Sequence, residues 1–132
     1  MSALSDYLEA ALLNHVFRNT GLTSPTTVYL AIFSSSASAS QLEAGTLTNE
    51  ITGYTGNRPA IAFGAPSGGI IASSGNIDFV SMPAVTTTYI AIMDSATKGA
   101  GNILMYVYTN SIATLAGRTL RYPAGSISLQ LS

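Results

Sequence analysis

From Val28 onward the apolar residues tend to fall at every second position, in short runs that clusters of Gly, Pro, Ser and Asn keep interrupting. A period of two places successive side chains on opposite faces of a strand, and the interruptions supply the turns. Eight runs read this way: Val28 to Phe33, Ala60 to Phe63, Gly69 to Ala72, Asn76 to Val80, Thr88 to Met93, Ile103 to Tyr108, Arg118 to Tyr122 and Ser126 to Leu131. Many short strands bury themselves most readily as two packed sheets. The expected fold is therefore mainly β, an antiparallel two-sheet β-sandwich of jelly-roll-like form, with one N-terminal helix. In the first run Val28, Leu30 and Ile32 share one face and Tyr29, Ala31 and Phe33 the other. Both faces are largely apolar, so this strand should be covered on two sides.

The segment before Pro25 has a different period. Leu4, Leu8, Leu12 and Val16 recur every four residues, and Tyr7, Ala11 and Phe17 widen the stripe. That pattern predicts a helix over residues 5–20 with its apolar face covered, Ser5 as cap, Asp6 and Glu9 at the positive end of its dipole, Arg18 near the other end and Gly21 as the stop. Residues 34–54, rich in Ser, Ala, Thr and Gly, have no consistent period and read as a long surface loop. One domain over 1–132 accommodates these parts, with the helix at 5–20 and the sandwich over 28–132.

Composition narrows the chemistry. Charged residues are 8% of the chain against roughly 25% in an ordinary soluble domain, so the exterior suits contact with neighbours. Cysteine is absent and His15 is the single histidine, which removes the commonest nucleophile, proton shuttle and soft metal ligands. A net charge of -1 offers no basic field for nucleic acid. The uncharged stretches from Pro59 to Ile77 and from Gly99 to Gly117 are broken too often by polar and turn residues to span a membrane as a helix. No secretion signal is expected, because Asp6 and Glu9 stand where lysine or arginine would.

Individual motifs point the same way. Gly64-Ala65-Pro66-Ser67-Gly68-Gly69 lacks the lysine and helix of a phosphate loop and reads as a turn. Asp94-Ser95-Ala96-Thr97 lacks the alternating acids of a calcium loop. The six carboxylates, Asp6, Glu9, Glu43, Glu50, Asp78 and Asp94, show no catalytic spacing. No catalytic, cofactor or metal site is expected. Candidate contact residues are Tyr54, Tyr89, Tyr106 and Tyr108, in or beside strands, with Arg58, Arg118 and Arg121, since tyrosine and arginine anchor interfaces well. Tyr122 shares the pattern.

A resemblance adds to this reading. Leu4-Ser5-Asp6-Tyr7-Leu8-Glu9, then Leu13-Asn14-His15-Val16-Phe17-Arg18-Asn19-Thr20, then Ser24-Pro25 before Val28-Tyr29-Leu30-Ala31, resemble small structural proteins of tailed phages often labelled tail fibre proteins. Phe63 to Gly69, Asp94 to Thr97 with Gly101-Asn102-Ile103-Leu104, and Ala124-Gly125 agree. The chain departs from the family pattern in placing Thr55-Gly56-Asn57 between Gly53-Tyr54 and Arg58, in lacking a tryptophan-glycine before Thr88, and in having Arg118 where aspartate is usual. The resemblance implies a virion part. The chain has none of the length or repetition of a fibre shaft.

The leading expectation is a capsid decoration, or cement, protein on the capsid exterior. Its partners would be the major capsid protein and copies of itself, as a homotrimer matching quasi-three-fold positions. The alternative is a tail or baseplate adaptor that docks a fibre, with residues 34–54 as its docking arm. A third reading, a glycan-binding module or enzyme, needs exposed aromatics and acids that this composition barely supplies.

Overall fold

The computed structural model describes residues 2–131. Strand β1 (Ser2–Leu4) leads into α1 (Asp6–Phe17), followed by β2 (Val28–Ser34), α2 (Ala39–Glu43), β3 (Ala60–Ile61), β4 (Ile70–Ala72) and β5 (Ile77–Met82). The chain closes with β6 (Thr86–Met93), β7 (Ile103–Ala113), β8 (Arg118–Tyr122) and β9 (Ser128–Gln130). Five strands form an antiparallel sheet in the order β1-β7-β6-β2-β3, while β4 pairs with β9 and β5 with β8 as two ribbons.

The period of two decides how these layers meet. Register pairs Leu30 with Ile92 and Ile32 with Ile90, and these four side chains share a core with Ile77, Phe79, Met82, Tyr122 and Leu129 of the ribbons. Ala31, Phe33, Ala91 and Met93 project the other way, into a second core closed by Leu42 of α2. The fold is thus a mainly β sandwich with an N-terminal helix, and β2 is covered on both faces. The second layer is two ribbons rather than one continuous sheet. Its strands are short, and β5 carries a register shift between Phe79 and Met82, with Ser81 at φ +55°.

Three local expectations are revised. The helix runs over Asp6–Phe17 rather than 5–20, because Ser5 is its cap and Asn19, at φ +53°, ends it before Gly21 is reached. Leu4 belongs to β1 opposite Met105. Ser5 joins the two elements: its hydroxyl accepts from the Leu8 amide at 3.2 Å and donates to the Ile103 carbonyl, and its amide donates to the Leu104 carbonyl at 2.9 Å.

Residues 34–54 are not a free surface loop. Ser38 and Gln41 form a reciprocal capping box that starts α2. Leu42, Ile51 and Tyr54 are buried, and the Ile51 amide donates to the Ile32 carbonyl at 2.8 Å. The segment is thus fastened to the sheet at Leu42, Ile51 and Tyr54, while Ser35, Ser36 and Ser38 to Ser40 remain exposed.

Candidate assembly surface

The predicted contact residues separate into three groups. Tyr54 and Arg58 lie inside the chain. The Arg58 guanidinium donates two bonds to the Glu50 carboxylate, both at 2.7 Å, and its Nη1 donates to the carbonyls of Ser95 and Ala100, both at 2.8 Å. The Gly99 amide completes the carboxylate at 2.8 Å. Both side chains have no exposed surface. This arrangement compensates the cost of burying two charges with a bidentate pair and further hydrogen bonds.

The hub fixes the turn between β6 and β7. The Asn102 amide donates to Asp94 Oδ1 at 2.7 Å and its side chain to Oδ2 at 2.9 Å, so the Asp94 carboxylate closes a turn. At Gly101, φ +85°, a Cβ would stand 2.5 Å from Ser95 Cβ and 2.7 Å from Asp94 Oδ1, which only glycine avoids. Lys98 caps the same region. Its Nζ donates to the carbonyls of Thr52 and Tyr54 at 2.9 and 2.7 Å and sits 4.1 Å from the centre of the Tyr54 ring. Burial, and then the Glu50 charge, push the Tyr54 phenol well above its ordinary value, with Arg58 partly offsetting them. Sequence reading missed Glu50 and Lys98 as members of this hub, since they come from stretches without a regular period.

Tyr89, Tyr106 and Tyr108 form the second group. Tyr89 and Tyr108 are cross-strand partners, with ring centres 5.2 Å apart edge-on, and Tyr106 stands 6.5 Å from Tyr89. Tyr106 is buried, Tyr89 partly buried and Tyr108 half exposed, so this ladder grades from core to surface. Burial raises the Tyr106 phenol.

Arg118 and Arg121, both on β8, are the third group, and both are exposed. Arg121 pairs with Asp78 through bonds of 2.8 and 3.0 Å; Arg118 stands at the start of β8. Tyr122, on the same strand, is buried, and burial lifts its phenol to about 12, with Thr87 pulling slightly down.

The largest departure from expectation is on α1. At 100° per residue Leu8, Ala11 and Leu12 face the sheet, and these are only partly buried. The opposite face presents Asp6, Glu9, Ala10, Leu13, Val16 and Phe17, all exposed, with Leu13 at 59%, Val16 at 64% and Phe17 at 78%. Apolar residues this exposed on a second face, beside Asp6 and Glu9, make a surface suited to being covered by a neighbour. Val16 and Phe17, expected on the covered face, are turned outward, and Leu13, which lies off the four-residue stripe, joins them.

These features describe an internally braced scaffold with a sparsely charged, partly apolar exterior. No curated protein matches the chain. A family model described as Podophage GP4 fiber I protein gp80 matches residues 3–130, so the chain belongs to this phage fibre family and is a virion structural protein.

Proposed function

We propose that this protein is a non-enzymatic tail component, an adaptor that docks a fibre or a neighbouring tail protein through its apolar exterior. The observation that carries this reading is the fibre family match over residues 3–130, which favours the tail over the capsid exterior. Ile70, Val80, Tyr108 and Leu131 supply exposed apolar and aromatic surface of the kind that becomes the centre of a contact. The Arg58 hub contributes indirectly, by holding the turn at 94–102 rigid so that little order is lost on docking. The work done is attachment: burial of this surface must be reversed before the partners separate.

Gold-labelled antibody against this chain, applied to intact particles, tests the location. Label confined to the tail supports the adaptor. Label over the whole head replaces it with the capsid decoration reading, in which the major capsid protein is the partner.

A further inference from the structure

Two ion pairs form among the described residues, Arg58 with Glu50 and Arg121 with Asp78. Asp6 and Glu9, on the outer face of α1, enter neither, and Arg118 on β8 enters neither. Each of these three charges adjoins apolar surface, whereas Arg18, also outside both pairs, donates to the Asn14 side chain at 3.1 Å. Asp6 and Glu9 continue the face that carries Leu13, Val16 and Phe17. Arg118 lines an open groove of about 420 Å3 with Ile112, Leu115 and Leu120, and Leu115 is 64% exposed.

The helix face and the groove cannot meet within one chain. Ser5 anchors the start of α1 to Ile103 and Leu104, whereas the groove begins at Ile112, eight residues further along β7 and about 26 Å away at strand rise. A twelve-residue helix is about 18 Å long. The exposure of Val16 and Phe17 agrees that α1 leaves its own groove empty.

We propose that α1 of one copy docks into the β7–β8 groove of the next, with Leu13, Val16 and Phe17 against Ile112, Leu115 and Leu120 and with Asp6 and Glu9 toward Arg118. The occupant is a second copy because acid faces base and apolar faces apolar on the same pair of surfaces. A side-by-side pairing of two α1 helices in parallel would instead bring four carboxylates together. The contact is head-to-tail, so copies assemble into a closed ring, or into a filament where the rotation does not close. It holds wherever on the particle the chain resides, and its failure leaves the tail reading standing.

The absence of cysteine makes the test clean. Full-length chain carrying both Val16→Cys and Leu115→Cys, treated at high concentration with a short flexible bis-maleimide, should give covalent multimers, and a wild-type-like melting curve should verify its fold. Neither single-cysteine variant should dimerise. Adding Arg118→Glu should cut the cross-linked yield about tenfold, and Asp6→Lys with Glu9→Lys should restore it. Dimers from Val16→Cys alone would show α1 pairing with α1 and overturn the proposal. Cross-linking indifferent to charge reversal, or no multimers from the double variant, would also overturn it.

Discussion

Two arginine–carboxylate pairs of nearly the same geometry occupy opposite environments. Arg58 and Glu50 have side chains with 0% exposure, whereas Arg121 and Asp78 are 56% and 34% exposed. Distances alone, 2.7 Å against 2.8 Å, would rank them equal. The surroundings decide. Around Arg58 the Glu50 carboxylate would lose its charged partner inside the protein, and the carbonyls of Ser95 and Ala100 would lose their donor, while water can replace either partner of the Arg121 pair. One pair organises the fold, and the other decorates a ribbon.

The sharpest way to break this contrast is Arg58→Ala, which strands the Glu50 charge inside the protein. It should lower unfolding free energy by about 3–5 kcal/mol in a denaturant titration, and Arg58→Lys should recover little, lacking the planar fork. A loss under about 1 kcal/mol would place the two pairs in one class.

Alkaline titration extends the contrast to a buried neutral group. The Tyr122 phenol is raised to about 12 by burial, above the roughly 10 of an unfolded chain. The folded state therefore keeps the proton longer, and this stabilisation is intact below pH 10 and lost as pH rises through about 12. Tyr122→Phe should remove on the order of 2–3 kcal/mol of that alkaline decline, measured by unfolding at pH 9 and at pH 12; an unchanged slope would contradict the assignment.

A smaller effect is expected at Ser5, where one buried hydroxyl both caps α1 and ties it to β7. Ser5→Ala should cost about 1–2 kcal/mol, seen as a lower unfolding midpoint. The smallest effect belongs to the exposed pair. Arg121 holds the Asp78 carboxyl below its ordinary range by a hydrogen bond, which favours folding above that range and fades as pH falls through it. Solvent screens this contribution, and Arg121→Ala should leave the melting temperature unchanged at moderate salt.

Much of the β framework was legible because alternation leaves a local trace. The β8 run, Arg118–Tyr122, was placed to the residue, and both faces of β2 were assigned from Val28 to Phe33. Leu4 misled because it lies four residues before Leu8, which suits a helix as well as a strand leading into one. Residues 34–54 misled because their order comes from distant partners, although Ser38-Ala39-Ser40-Gln41 carried a readable capping signature. Where the fold places the expected contact residues was not legible. An arginine at position 58 reads as a surface anchor until Glu50 and the carbonyls of a turn some forty residues away are seen to enclose it.

The account rests on a division between an interior that fixes the shape and an outer helix face that waits for a neighbour. Hydrogen exchange, compared between the free chain and purified particles, measures both parts at once. The account predicts slow exchange at Ile51, Arg58 and Asn102 in both states, with α1 from Leu8 to Phe17 gaining protection in the particle over the dilute free chain. Equal exchange of α1 in the two states would contradict it.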